Sequence, residues 1–596
     1  VKWPPLADVL TYALRGAAAL VSGTLLAASL NTETPLWPLI FVALLPMLWA
    51  LRHVRPLEAV VYGLITFWWY LTVSVWWLSQ FGADKAYGLC FMEGMAYAIA
   101  IGFYSWLRHR VRGDRYGLLL PACIVLVELK RNLGMWAFPW PMLGHALVYE
   151  PTLLQSAAVM GVMGLSFVVV WSNAVLARVL FEEVRPPDAR WAEIRPFAMV
   201  LIWMGLYGQY SFLTAPYIQK RQEPFPATIV QRVEGTLARW SDDFILRALG
   251  EYDTLTREEL QQRGVLAPPP GTVGPPAPRP KAPVGLIVWP ENAIPKSRTT
   301  VGQQQIDAEV QKLVNDSNSV LVMGTFTRVH VGAPEPGSPG AAEMTPEFVG
   351  EIGAVEFEDR EKIDAYNSVE IRIPGEERAI GVSSKYHLVP FGESVPMKRY
   401  LSMIDNPWGP GKNVSASKRL VPYDTPIGKV GIVVCYESFF APIVRSLVWQ
   451  GAQVMVLTSN TSWFGKHVDA TYQHAYYDRA RAVENRVPFV RAATTGVSSI
   501  IDPWGRDLAI TEPFEGRLIP GEPYRVQGAT RTALIRRRFG YSIYTYLGDW
   551  VVYLSLFGLL WTLYEVWFPG WTHALTRRFA PRLRGAESQP LGELRA

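Results

Sequence analysis

The sequence is short of cysteine, histidine and charge. Only three cysteines occur in 596 residues, Cys90, Cys123 and Cys435, and so few scattered thiols define no disulfide framework. Among the eight histidines, His387, His467 and His474 lack the short spacings of a ligand set, so no metal or other cofactor is indicated. Charged residues make up 18% of the chain, with a formal net charge of +5. No Lys/Arg stripe interleaved with aromatics stands out, which sets nucleic acid aside as a partner. No internal repeat is visible.

Apolar residues fill the space that charge leaves. Half the chain is hydrophobic, and it carries 23 tryptophans. Runs long enough to cross a bilayer, which takes about 20 residues, fall at 10 to 30, 35 to 51, 57 to 79, 87 to 107, 116 to 129, 157 to 180, 196 to 214 and 549 to 568. The expected fold is therefore a polytopic α-helical membrane bundle of about eight transmembrane helices joined to an α/β domain. Glu128 and Lys130 end the short fifth run, either as interface snorkellers or as cavity-lining groups, the first being favoured. Beyond Glu93, Glu128 and His145 near their ends, the runs carry little that a transporter would need at mid-membrane.

Loop charges orient the bundle. Arg52 and Arg55, then Arg108, Arg110, Arg112 and Arg115, then Arg178, Arg185, Arg190 and Arg195, and finally Arg577, Arg578, Arg582 and Arg584 follow alternate runs. The positive-inside rule assigns them to the cytoplasm and the segment between the seventh and eighth runs to the opposite side. Arg536, Arg537 and Arg538 run against the pattern, but they close a long translocated segment, where the rule is weak. Lys2, Arg15 and the small residues at Ala27 and Ala28 resemble a cleavable leader, yet the run is long and more follow, so an uncleaved first helix is favoured. The expected division is 1–215 (bundle, seven helices), 216–548 (large domain outside the cytoplasm), 549–568 (eighth helix) and 569–596 (cytoplasmic tail).

The large segment changes texture. Val- and Ile-rich runs at 227 to 231, 284 to 290, 319 to 326, 430 to 436, 452 to 460 and 488 to 494 read as buried strands, and the polar stretches 299 to 316 and 468 to 486 as helices. That alternation predicts a layered α/β domain. A Pro-rich insertion at 267–283 and a Gly/Pro/Glu-rich one at 331–362 read as surface linkers.

Three candidate residues sit at strand ends, two on these runs and Lys385 after a polar strand. Glu291 follows VGLIVWP, Lys385 opens KYHLVPFGESVP, and Cys435 ends GIVVC. Each alone is unremarkable: such a cysteine is most often a small packing residue, and such a Glu or Lys a solvated one. Together they supply what a cysteine nucleophile needs, a base for the thiol and a cation for the negative charge that builds on an attacked carbonyl.

WPENAIP, KYHLVPFGESVP and GIVVCYES, in that order, resemble the Glu, Lys and Cys motifs of the nitrilase (carbon-nitrogen hydrolase) superfamily. With the apolar runs placed around them, the chain resembles its membrane-bound branch, the apolipoprotein N-acyltransferase family, over nearly its whole length. The stretches 153 to 177, YNS at 366 to 368, NTSWFG at 460 to 465 and 473 to 505 agree with that likeness. It implies an αββα sandwich with Glu291 as general base, Lys385 as oxyanion stabiliser and Cys435 as nucleophile. Glu393, Tyr436 and Glu437 would support the site, and Trp240, Trp463 and Phe464 would bind substrate. The chain departs from the family pattern at VQRVEGTLARW, at Asn292 and at Thr494, positions that bear on loop contacts rather than on the reaction.

The implied reaction moves an acyl chain from the sn-1 ester of a phospholipid, through a cysteine thioester, to the α-amine of the diacylglyceryl-cysteine of an apolipoprotein, in ping-pong order. The implied partners are that phospholipid, that lipoprotein and the bilayer of a bacterial inner membrane, with the protein a monomer. The same three residues would also serve a membrane-tethered amidase or nitrilase-type hydrolase with water as acceptor.

Overall fold

The computed structural model describes residues 6–34, 36–111, 117–134, 136–181, 187–233, 242–266, 284–295, 300–330, 363–390, 392–394, 414–465, 467–514, 517–519 and 522–568. Trp240, both insertions and the tail 569–596 lie outside the described residues.

The first part is helical: α1 (Leu6–Ala28), α2 (Leu45–Ala50), α3 (Pro56–Ser74), α4 (Ala83–Arg108), α5 (Leu119–Arg131), α6 (Pro151–Leu154), α7 (Ala157–Phe181) and α8 (Pro187–Gln219). Among the described residues six helices are long and apolar enough to cross a membrane: α1, α3, α4, α7, α8 and the later Trp550–Trp567. The other two apolar runs take shorter forms. Residues 35 to 51 make a 3-10 turn, Trp37–Phe41, and then α2, because Pro38 and Pro46 cannot donate to a continuous helical ladder. The interrupted backbone is satisfied from neighbouring helices: Asn173 Oδ1 accepts from Leu44 N–H and Ser22 Oγ from Met47 N–H, both at 2.8 Å. In α5, Glu128 does not snorkel; it is fully buried and accepts from the backbone N–H of Leu143 at 2.8 Å. Its neighbour Lys130 instead pairs with Glu93 at 2.9 Å.

Basic residues gather at one end of this bundle. Arg15 and Arg108 donate to the carbonyls of Arg52 and Leu51. From there α3 runs about 28 Å, at 1.5 Å per residue, to Ser74, whose carbonyl accepts from Gln473 of the α/β domain at 3.0 Å. The arginines therefore lie at the end of the bundle away from that domain.

The α/β domain contains α9 (Asp242–Gln262), α10 (Thr300–Ser317), α11 (Ala441–Trp449), α12 (Val468–Asn485) and α13 (Ile543–Leu547), and α14 (Trp550–Trp567) follows it. Its strands are β1 (Phe225–Arg232), β2 (Gly285–Trp289), β3 (Ser319–His330), β4 (Ile363–Arg372), β5 (Gly381–Ser384), β6 (Tyr423–Thr425), β7 (Gly428–Val434), β8 (Val454–Ser459), β9 (Phe489–Ala493), β10 (Ser499–Ile501), β11 (Asp507–Ile510), β12 (Arg517–Ile519) and β13 (Glu522–Ile535). They form two sheets, ordered β12-β13-β1-β2-β3-β4-β5 and β11-β10-β9-β8-β7-β6. The parallel pairs β1–β2, β2–β3, β7–β8 and β8–β9 put the carboxyl ends of these strands at one edge of each sheet.

The two-residue period of the strands sorts their side chains into layers. Leu286 and Val288 face Ile432, Val434 and Val456 in the core between the sheets, whereas Ile287 and Trp289 face α9 and α10 through Tyr252 and Val310. On the other side, Val433, Met455 and Leu457 share a core with Val444 of α11, Tyr477 of α12 and the membrane helices. The domain is thus an αββα sandwich with one outer helical layer fused to the bundle. A clamp marks the seam: α7 breaks at Gly161, with φ 67°, where a Cβ would lie 2.4 Å from the Tyr544 ring. The Val162 N–H freed by the break donates to Glu484 Oε1 of α12 at 2.9 Å.

Candidate active site

The site lies at the carboxyl edge of both sheets. Glu291 stands two residues beyond β2, and its turn is pressed so close to β3 that a Cβ on Gly324 would meet the Pro290 carbonyl at 2.2 Å. The carboxylate is buried and held from both sides: Asn367 Nδ2 donates to Oε1 and the Asn460 backbone N–H to Oε2, each at 2.5 Å. Strand pairing explains how Asn367 comes to hand. Ser368 of β4 pairs with Ser384 of β5, so Asn367 is opposite Lys385, whose N–H donates to its carbonyl at 2.8 Å.

Lys385 is 1% exposed, and its Nζ donates to Glu393 Oε1 at 2.9 Å. Asn367 Nδ2 reaches the same oxygen at 3.2 Å, and Glu393 Oε2 accepts from Val389 N–H at 2.9 Å. Two carboxylates therefore face one buried ammonium, with an amide between them.

Cys435 follows the last residue of β7 and opens a 3-10 turn, Cys435–Phe439, with φ 52°. The sequence run placed Cys435 and Tyr436 within a strand; the strand ends at Val434. A left-handed conformation at a non-glycine residue costs about 1–3 kcal/mol and persists only where its surroundings hold it. Glu437 does the holding. It accepts from Val434 N–H at 2.7 Å, closing the turn, and from the N–H groups of Tyr386 and His387 at 2.6 and 2.9 Å. One carboxylate so ties the Cys435 turn to the Lys385 segment. Beneath it, Arg491 Nη2 meets His474 Nδ1 at 3.1 Å. Arginine can only donate, so Nδ1 accepts and the proton is on Nε2, which faces Ser438 Oγ at 3.0 Å.

Burial and charge set the resting protonation. Burial pushes the Cys435 thiol up to about 12, with the Glu291 charge adding and Lys385 and the Ser459 hydroxyl opposing. Burial likewise raises Glu291, against the pull of Lys385. For Lys385, burial acts to lower the value but is outweighed by Glu393, Glu291 and Cys435, which hold it well above the ordinary lysine range. The resting site thus holds a thiol, a carboxylate of raised basicity and a permanent cation. Such a set can take a proton from sulfur as it attacks a carbonyl and meet the resulting oxyanion with fixed positive charge.

Tyr436, Trp463 and Phe464 behave differently. The Tyr436 ring packs among Phe439 and Phe440, and its hydroxyl donates to the Ala137 carbonyl of the bundle at 3.0 Å. Trp463 is 40% exposed in the 3-10 turn Ser462–Phe464, directly after Ser462, whose N–H donates to Asn460 Oδ1 at 3.0 Å. Phe464 packs on Trp77 and Trp140 at 4.9 and 5.9 Å, and Trp140 stacks on Phe439 at 4.2 Å. These contacts join the nucleophile turn to the loops of the bundle. Asn367, Asn460 and His474 had gone unread as site residues. Asparagine is depleted in strands, so Asn367 inside the strand-like YNS was the available signal.

Two family matches follow the chain in the same order as these structural parts. Residues 22–175 match the apolipoprotein N-acyltransferase N-terminal domain, and residues 258–521 match the carbon-nitrogen hydrolase family. The chain is 27% identical over 544 residues to an apolipoprotein N-acyltransferase of Geobacter metallireducens, covering 89% of this chain and 91% of that protein. The chain belongs to the apolipoprotein N-acyltransferase family. The homonymous protein of Haemophilus influenzae is 24% identical over 535 residues, 86% of this chain and 90% of its own length. Among solved structures, an amidase from Nesterenkonia sp. matches at 13% identity with a TM-score of 0.32, over 52% of this chain and 90% of that one. The family accounts for both the apolar helices and the sandwich, and this is a membrane protein.

Proposed function

We infer that this chain N-acylates lipoproteins. Cys435 Sγ attacks the sn-1 ester carbonyl of a phospholipid as Glu291 takes the thiol proton, and the oxyanion is met by Lys385 Nζ and the backbone N–H of Tyr436. The C–O bond then breaks, Glu291 protonates the departing alkoxide, and a lysophospholipid leaves a thioester on Cys435. In the second half, the α-amine of a diacylglyceryl-cysteine attacks the thioester. Glu291 accepts a proton from nitrogen and returns one to the departing sulfur, giving an amide and the free thiol. Glu393, Tyr436 and Glu437 position these groups, and Trp240, Trp463 and Phe464 contact the acyl chains.

One observation carries this reading. The Cys435 turn shares its packing with the membrane bundle, through Tyr436 to Ala137 and Phe439 to Trp140. Drawing an acyl chain into water costs about 0.8 kcal/mol per CH₂, so a nucleophile for lipid esters belongs beside the bilayer. A merely tethered hydrolase has no such need. We place residues 1–215 and 549–568 in the bacterial cytoplasmic membrane, 216–548 on its periplasmic side and 569–596 in the cytoplasm, with the protein acting as a monomer. The arginines at the far end of the bundle support that orientation. Reconstitution with phospholipid and a diacylglyceryl-cysteine peptide tests the reading. The peptide should gain one amide-linked acyl chain, and the Cys435→Ala protein should leave it unchanged. Ammonia released from small amides without any lipid product would overturn it.

A further inference from the structure

A cavity of about 320 Å³ lies outside the site around Cys435. Its walls come from the last turns of α8, the turn between α12 and β9 at Arg486 and Pro488, the segment from Asp502 to Leu508 after β10, and the stretch that leads from the end of β13 to α13. The first and last of these are the two chain passages between the membrane helices and the α/β domain, so the cavity sits at the level where apolar helix gives way to water. It is also at the opposite edge of the sheets from the active site. Pro488 precedes β9 and Ile535 pairs with the first residue of β1, whereas Glu291, Cys435 and Asn460 follow the last residues of β2, β7 and β8. None of the active-site residues lines it.

The lining is cationic and only partly compensated. Arg486, Arg506, Arg536 and Arg537 face one carboxylate, Asp502, and that one is already paired with Arg506 at 2.6 Å. Among the described residues Arg486 donates to Gln155 Oε1, the Pro503 carbonyl and Ser211 Oγ, and it also interacts with Tyr207 and Asp502. Arg537 donates to the carbonyls of Ile427 and Pro426. Among the described residues Arg536, which lines the cavity, donates through its Nε alone, to the Gln222 carbonyl at 3.2 Å, so its terminal nitrogens carry no hydrogen bond there. Guanidinium groups with spare planar donors favour phosphate oxygens.

The rim is apolar. Tyr210, Leu534 and Ile543 are 63%, 61% and 49% exposed, and the strip continues down α8 through Leu213 and Leu206, 71% and 67% exposed. A cationic cup opening on an apolar helix face at the membrane boundary matches an amphiphile with an anionic head and hydrocarbon tails. The volume is at the lower end of small-ligand pockets, roughly 300–1,000 Å³, which suits a headgroup with its chains left outside.

We propose that this cavity is a non-catalytic binding site for the phosphodiester headgroup of a membrane phospholipid, held by Arg536 and Arg486 with its acyl chains along α8. The bound lipid would fasten both passages between domain and bundle to the bilayer surface.

Native mass spectrometry of the full chain in detergent tests this, in a Cys435→Ala background so that no donor lipid turns over. Titrated with phosphatidylglycerol, the protein should retain one lipid whose Kd rises about tenfold or more in the Arg536→Gln/Arg537→Gln double variant, as expected for lost charge-assisted hydrogen bonds. Arg536→Lys/Arg537→Lys should restore most of the affinity. Arg536→Gln alone, which gives up a single hydrogen bond within the protein, reads the same site should the double variant unfold. Equal retention by the wild-type and glutamine variants would overturn the proposal. Displacement of the lipid by a tenfold excess of inorganic phosphate would overturn the lipid and leave a site for free oxyanions.

Discussion

Asn367 donates one side-chain amide to Glu291 Oε1 at 2.5 Å and to Glu393 Oε1 at 3.2 Å, so a single residue of β4 holds the proposed base and the lysine's counter-ion in register. Its hydrogen bond also favours the ionised form of Glu291 and opposes the effect of burial. Replacing Asn367 with Leu should raise the Glu291 pKa further. Because the base must be ionised to act, activity is lost as pH falls through that value, and the acid limb of the rate of thioester formation should move to higher pH. The rate on the plateau should fall about 10- to 100-fold, within the usual contribution of general-base catalysis, and a pH–rate profile reads both effects. An unshifted limb would separate Asn367 from the base.

Lys385 balances two carboxylates in a nearly dry site. Lys385→Met leaves the buried Glu291 and the half-buried Glu393 without a cation, and losing one partner of a buried pair costs about 3–5 kcal/mol. Thermal unfolding should show a large fall in Tm together with loss of acyl transfer. Adding Glu393→Gln removes one orphaned charge and should recover part of the stability but none of the activity. Recovery of both would mean that the ammonium serves only the fold.

Glu437 accepts three backbone N–H groups, one closing the Cys435 turn and two from the Lys385 segment. Burial pushes its carboxyl up to about 7. In Glu437→Gln one oxygen becomes an NH₂ group that meets a backbone donor head-on. The expected outcome is a loss of about 1–3 kcal/mol and a fall in the rate of thioester formation of at least about tenfold, with phospholipid binding little changed. Single-turnover kinetics against equilibrium lipid binding separates these effects.

The strands and the Glu and Cys motifs were legible in the sequence because buried parallel strands read as continuous Val/Ile runs, and Glu291 and Cys435 each stand at the end of one, whereas Lys385 follows the short polar strand β5. Partners that act through the backbone were not. Nothing in NTSWFG announces that the Asn460 N–H will meet Glu291, since that contact depends on how β8 lies against β2. The runs at 35 to 51 and 116 to 129 looked like spans by hydropathy alone. The form of the first depends on Pro38, Pro46 and the side chains of Asn173 and Ser22, which reach across from other helices; the second is a helix of only 13 residues. Tyr436 was legible as a neighbour of the nucleophile but not as a strut to Ala137, because that hydrogen bond spans 299 positions of chain.

Tyr436 therefore offers a test of the seam between domain and bundle. Tyr436→Phe removes one hydrogen bond and should cost about 1 kcal/mol with the Cys435 turn intact. Tyr436→Ala also removes the ring from among Phe439 and Phe440, and should cost about 3–5 kcal/mol. Measured stability should fall in that order, and acyl transfer should survive the first change far better than the second.

The central claim is that Cys435 carries the acyl chain between the two substrates. Full-length protein incubated with phospholipid labelled in its sn-1 chain, without acceptor, and digested for mass spectrometry should yield the Cys435 peptide heavier by one labelled acyl group. Added diacylglyceryl-cysteine peptide should discharge it. An unmodified Cys435 peptide from protein that nonetheless acylates its acceptor would contradict the account.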